Sequence, residues 1–391
     1  MRSLISSRVG RLALASGPLM ALAFIAMQPV QAQTFNLLYT FTGGTDGGTP
    51  LGTPILYLGD ICGTTAGGGA YANGTVYALN FKSRVETVLH SFVGAPDGAA
   101  PIAGLVQDSK GNFYGVAYRG GLDNYGTVFE VSPTGTFTLL HAFINPPSHG
   151  WGPAGALVID SAGDLFGTTY AGGSSNAWGT VFEYSAAGAF TILKSFSPGG
   201  ALPRAGAYLE AGKLYGTAAG DDSEANAGAV YEVGVTNPLY DFTGGPDGGQ
   251  PMGGVIGDGK GNLFGTASTG GSGPFGVGNG VVFELNIATG QETVLHTFTG
   301  VPDGSVPAAG LARDSQGNLY GTTSLGGAYG FGTVFELNTS GTLSILHSFT
   351  GGTDGANPLA GVLVDSNFNV WGAASAGGSG HGTLFVISPA L

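Results

Sequence analysis

Cysteine is almost missing from this sequence. Cys62 is the only one in 391 residues, which excludes an intramolecular disulfide and any cysteine-cluster metal site. Charge is scarce as well, at 9% of residues, and the basic sign is the scarcer: 12 Lys and Arg against 25 Asp and Glu leave a net charge of −13. Phosphate contacts need clustered Lys and Arg, so nucleic acid and anionic membranes are set aside as partners. Several signatures are also absent. There is no Gly-x-Ser-x-Gly elbow, no His-Glu-x-x-His, no phosphate-binding glycine loop opening a helix, and no EF-hand or calcium nonapeptide. Beyond the N-terminus no segment has an amphipathic helical period.

Glycine and apolar residues are what the chain does have. Its 75 glycines would suggest disorder in a polar chain, but 42% of residues are hydrophobic and 10% aromatic, enough for a sizeable core. Glycine therefore reads as turn punctuation in a strand-rich protein. The first 32 residues read as a secretory signal. Arg2, Arg8 and Arg11 precede a mostly apolar run from Leu12 to Val30, and Val30-Gln31-Ala32 supplies the small-residue cleavage pattern. Cleavage after Ala32 removes three arginines and no acid, so the charge of −13 becomes −16. The expected location is secreted, periplasmic or at the cell surface, with no membrane span after signal removal.

The rest, residues 33–391, is one repeating phrase. The phenylalanine closing its first segment recurs at Phe41, Phe92, Phe143, Phe196, Phe242, Phe298 and Phe349, a spacing of about 51 residues that suits a four-stranded propeller blade. Four short apolar runs fill each repeat, separated by glycine-rich or Asp-Gly turns. In the sixth they are Gly310 to Asp314, Asn318 to Thr323, Thr333 to Leu337 and Ser344 to Phe349; we name them strands a, b, c and d. The ends decide between a ring and an open solenoid. Phe35 to Phe41 is an isolated d strand, whereas Gly361 to Pro389 supplies only a, b and c. The expected fold is all-β: a single seven-bladed β-propeller with four-stranded blades, closed by the N-terminal strand joining the C-terminal blade. Closure also removes open sheet edges.

The repeated Leu-Tyr/Phe-Gly-Thr-Thr, Gly-Thr-Val-Phe-Glu and Leu-His-Ser-Phe phrases resemble the GloVer tandem-repeat proteins, the choice-of-anchor group of exported bacterial proteins. The resemblance covers nearly all of residues 35 to 388. It implies export, often with surface display through differing C-terminal anchors. The chain departs from that pattern at Ser388-Pro-Ala-Leu391, where no sorting tail follows.

Repeated polar residues read as structural. His90, His141, His296 and His347 share one position of strand d, where Tyr39, Lys194 and Tyr240 replace them; they are expected to hydrogen-bond between blades. Glu130, Glu183, Glu232, Glu284 and Glu336 in strand c are read the same way. Asp46, Asp97, Asp247, Asp303 and Asp354 each precede Gly in the d–a connection. Turn chemistry accounts for them; the alternative is a ring of oxygen ligands for Ca²⁺. No other metal or cofactor is expected.

Departures from the repeat are the candidates for function. In a propeller the d–a and b–c connections share the face where ligands bind, around the channel mouth. Blade 3 begins Ser148-His149-Gly150-Trp151 where Asp-Gly is expected. With Gly152 standing for the d–a proline, the next position reads Leu51, Ile102, Pro153, Arg204, Met252, Ala308 and Leu359, and Arg204 is its only charge. Before the Gly that opens strand c stand Asn73, Tyr125, Trp178, Ala227, Asn279, Phe331 and His381. Arg119 lies in the b–c loop of blade 2, and Asp221, Asp222 and Glu224 in that of blade 4. Aromatic faces with flanking polar groups suit a sugar ring, and Arg204 or Arg119 suits a carboxylate; ordinary drift of surface loops is the alternative. The expected function is an exported binding propeller for an extracellular glycan or a cell-surface protein, monomeric. The alternative is a polysaccharide- or lactone-directed lyase or hydrolase on the same face, with His149 and a blade-4 carboxylate assembled from separate blades.

Overall fold

The computed structural model describes residues 33–144, 148–173, 178–196, 202–220, 227–272 and 276–389; residues 1–32, read above as a secretory signal, lie outside them. The described chain forms seven antiparallel sheets, each read outward as a, b, c and d. In blade 6 these strands are Ala312–Arg313, Leu319–Thr323, Thr333–Leu337 and Leu343–Ser348. Blade 7 takes a, b and c from Leu363–Val364, Val370–Ala374 and Thr383–Ser388, and its d strand is Thr34–Thr40. That strand runs antiparallel to Thr383–Ser388 from the pair Thr34–Ser388 to the pair Thr40–Thr383. The fold is therefore a seven-bladed propeller closed as its sequence requires. Among the described residues there is no helix.

Each repeated residue has a packing reason. The mid-strand glycine of b lies under the aromatic ring of c: a Cβ on Gly115 would stand 2.6 Å from the Phe129 ring, and one on Gly321 2.6 Å from the Phe335 ring. The phenylalanine that closes strand d then crosses to the next blade and meets its c aromatic edge to face. This happens at all seven seams, from Phe41–Tyr77 at 5.2 Å to Phe349–Phe385 at 5.4 Å between centroids. Such contacts add about 0.5–1.5 kcal/mol each beyond the area they bury. The core is thus a ring of aromatic pairs between blades.

Backbone and hydroxyl bonds tighten the same seams nearer the axis. The strand-b threonines Thr64, Thr168, Thr217, Thr266 and Thr322 donate to carbonyls of the next inner strand at 2.7–2.9 Å. Blades 2 and 7 carry Val116 and Ala373 at that position. The residue before each d–a proline, Thr49, Ala100, Gly152, Leu202, Gln250, Val306 or Asn357, has positive φ of 51–68°. Its N–H donates to the carbonyl just ahead of the strand-c glycine in the previous blade, from Thr49 to His381 at 2.7 Å and from Asn357 to Phe331 at 2.9 Å.

Three of the four strand-d histidines do join blades, but by stacking. His90, His141 and His347 lie flat on Phe137, Phe190 and Phe35 of the following d strand, at 3.9–4.1 Å between centroids. The hydrogen bond goes to their own connection instead: Nε2 of His90, His296 and His347 contacts Asp97, Asp303 and Asp354 at 2.8–3.0 Å. Where tyrosine replaces histidine, its hydroxyl donates to the same aspartate, Tyr39 to Asp46 and Tyr240 to Asp247. At those two seams the opposing Phe position is Glu86 or Glu292. At these two seams a hydroxyl-bearing ring thus faces a carboxyl in place of the flat imidazole–phenyl pair; at the remaining two, Lys194 stands opposite Thr236 and His296 opposite Leu343.

Candidate functional site

Inner strands crowd the axis. A Cβ on Gly52 would stand 2.5 Å from the backbone of Ala103 and Gly104, and one on Gly104 2.7 Å from the Thr53 carbonyl. Glycine and alanine are required there because neighbouring a segments meet through their main chains. The channel they enclose has a volume of about 340 Å³, and among its lining side chains only Thr53 and Arg204 are polar. Larger clefts, of about 640 and 570 Å³, lie between blades 2 and 3 and blades 3 and 4 near the a–b turns. They are on the opposite face from the irregular loops.

The d–a and b–c connections do share one face, since Gly48–Gly67, Ala99–Arg119, Ser305–Leu325 and Ala356–Ala376 bridge them. Blade 3 corrects the expected alignment by one residue. Pro153 occupies the proline position, packed against Gly126 as Pro101 packs against Gly74, and Ala154 lines the channel. The rim is therefore Leu51, Ile102, Ala154, Arg204, Met252, Ala308 and Leu359. His149 takes the place of the aspartate and Trp151 that of the bridging residue, extended here into a short strand, Trp151–Pro153, paired with Leu165–Ala171.

Four of the expected residues come together at this mouth, with two that the sequence reading missed. Tyr125 contacts Trp151 at 6.2 Å, Trp151 meets Tyr170 edge to face at 6.0 Å, and the Arg204 guanidinium lies 5.1 Å above the Tyr170 ring. Beside them Arg119 lies 5.8 Å from the centroid of Tyr118. Tyr118 reaches over blade 3, because its ring fills the space where a Cβ on Gly152 would sit, 2.8 Å away. The aromatics are half-buried and both arginines exposed. Tyr118 follows strand b of blade 2 and Tyr170 lies near the end of the longer strand b of blade 3, in one column that is Ala66, Ala219, Ser268, Ser324 or Ser375 elsewhere. There Ser268, Ser324 and Ser375 donate to the carbonyls of Gln250, Val306 and Asn357. An aromatic in that column was the available signal.

The other expected residues lie apart. His149 is in the seam between blades 2 and 3, its ring 5.1 Å from Phe190 and 5.9 Å from His141. Burial, and then His149, pushes the pKa of His141 down to about 4. Trp178 packs against the buried cluster of Val181, Phe196, Ala218 and Tyr231. His381 is exposed in blade 7, across the ring, with its imidazole over Gly43. Asp221, Asp222 and Glu224 lie outside the described residues. The Asp-Gly aspartates show the expected turn chemistry: Asp303 accepts from the Thr299 N–H at 2.9 Å and its hydroxyl at 2.6 Å, and Asp354 from Thr350 in the same way.

These features define a strand-closed seven-bladed propeller with an aromatic and cationic sector at one mouth of its channel. The chain belongs to the Gloeobacter/Verrucomicrobia repeat family, whose model matches residues 23–231 and 210–391. No curated protein matches it. Among solved structures it is similar to an oligogalacturonate lyase from Vibrio parahaemolyticus, with 12% identity and a TM-score of 0.57 over 91% of this chain and 97% of that one. It is also similar to a puromycin-hydrolyzing peptidase from Mycobacterium tuberculosis, with 11% identity and a TM-score of 0.56 over 85% of this chain and 51% of that one. At such identities the likeness shows the fold alone.

Proposed function

We propose that the protein is an exported binding propeller that takes an oligosaccharide across the mouth formed by its d–a and b–c connections. One observation carries this reading: the unbroken contact from Tyr125 through Trp151 and Tyr170 to Arg204, built among the described residues in one sector only. Pyranose rings present an apolar C–H face that aromatic side chains cover well, while a neighbouring charged group fixes orientation. The basic and apolar start of the sequence supports export. Among the described residues no helix is long and apolar enough to cross a membrane.

A glycan array probed with the mature chain, with product detection, tests the proposal. Retention of one glycan class is expected. Trp151→Ala and Tyr170→Ala should each weaken it by about 1–2 kcal/mol, while Phe331→Ala in blade 6 leaves it unchanged. Retention that survived both sector variants would overturn the site. Product formation would establish the lyase or hydrolase alternative in its place.

A further inference from the structure

The face that carries the aromatic strip is poor in positive charge. Once residues 1–32 are removed, nine Lys and Arg remain. Lys82, Arg84, Lys110, Lys213, Lys260 and Arg313 lie at a–b or c–d turns or the strand ends beside them, on the other face. Lys194 lies in a d strand and donates its Nζ hydrogen to the Val235 carbonyl at 3.0 Å. Only Arg119 and Arg204 are left for the mouth, and both are there.

Their positions are related. Arg119 lies on Tyr118, Tyr118 rests over Gly152, Trp151 precedes Gly152 and touches Tyr170, and Arg204 lies on Tyr170. Two guanidinium groups therefore bracket one aromatic strip. Neither has a carboxylate partner among the described residues. A cation–π contact holds a guanidinium through its face and leaves the N–H fork at its edge free. That fork matches a carboxylate bidentately, which a lysine ammonium cannot do.

Resting on the glycan reading of this face, we infer that the ligand is an acidic oligosaccharide. Its pyranose rings lie on the strip, and at least two uronate carboxylates meet Arg119 and Arg204. A neutral glycan would leave two arginines on the only cationic patch of the face without a function. The alignment of each guanidinium by a tyrosine is what a bidentate bond needs before the ligand arrives.

Calorimetry with three galacturonate oligomers of equal length distinguishes the outcomes: the free acid, its methyl ester and its carboxyl-reduced form. The acid should bind at least about tenfold more tightly than either neutral form, the scale of one charge-assisted bond. Arg119→Gln and Arg204→Gln should each lower affinity for the acid about tenfold, and leave the ester within about twofold. Equal binding of acid and ester, both weakened by Trp151→Ala, would overturn the acidic class while the glycan reading stood. Binding by none of the three, nor by any glycan on the array, would overturn the glycan reading itself. Tighter binding of a sulfated oligomer than of the galacturonate would overturn carboxylate recognition.

Discussion

At the scale of single residues, two kinds of substitution within the repeat have opposite consequences. Tyr77 and Tyr231 stand where five blades carry Phe in strand c, and their hydroxyls are buried without a hydrogen-bond partner among the described residues. An unmet hydroxyl costs about 1–3 kcal/mol, so Tyr231→Phe should raise stability by about 1 kcal/mol. A denaturant midpoint that falls would show that the hydroxyl has a partner. Gly152 is the reverse case. Its φ of +64° is not the reason for glycine, because Ala100 and Val306 hold φ of 52° and 57° at the same position. The Tyr118 ring is the reason. Gly152→Ala should therefore displace Tyr118 and weaken any ligand of the strip about tenfold while costing about 1 kcal/mol of stability. A variant with full affinity would detach Tyr118 from the site.

Strands and seams titrate as units. Glu86 and Glu292 are pushed up to about 7, first by burial and then by Asp46 and Asp247 respectively. At the first seam Tyr39 faces the pair as well, with Tyr77 and Cys62 buried behind. The folded state therefore binds these protons more tightly than the unfolded chain does. Their stabilisation is complete below about pH 4.5 and is lost as pH rises through about 7. Melting temperature should fall between pH 5 and 8, and Glu86→Gln with Glu292→Gln should flatten the fall by about 1 kcal/mol each, screening allowed for. An unchanged slope in the double variant would place the dependence elsewhere. The closing strand gives the second test at this scale. Leu38 and Phe41 lie in one cluster with Tyr77 and Leu79 of blade 1 and Leu384 of blade 7, so deleting residues 33–41 opens two blades at once. A loss of several kcal/mol is expected. The thiol of Cys62, buried and pushed up to about 12 by burial and then Asp60, should become reactive to thiol reagents as blade 1 loosens. An unchanged melting temperature with an inert thiol would contradict closure by this strand.

For the molecule as a whole, what the sequence made legible follows from symmetry. Seven phenylalanines at one spacing report seven equivalent seams, and an unpaired d strand at one end with a–b–c at the other reports a ring. Site residues obey no such rule. The d–a connection of blade 3 runs from Phe143 to Pro153, one residue longer than from Phe92 to Pro101, and that residue moved Pro153 onto the rim in the sequence reading. His149 and Trp178 stood out as irregular, yet irregularity does not say whether a side chain faces solvent or a seam. Tyr118 and Tyr170 were hidden for the converse reason: aromatics are common in this chain, and only their column, otherwise Ser or Ala, marks them.

Ring closure also puts a clock on folding. Thr34 pairs with Ser388, so the closing strand cannot find its partner until 354 residues later. That wait lasts for the whole passage of the intervening chain. Throughout it, Phe35 and Leu38 have no sheet to join, and blade 1 has no neighbour on one side. The six other blades can each form as they emerge, since their strands are local in sequence. Thr383–Ser388 is therefore the strand that ends the delay, and the order in which the chain is delivered to its folding compartment, more than any single contact, sets how long the ring stays open.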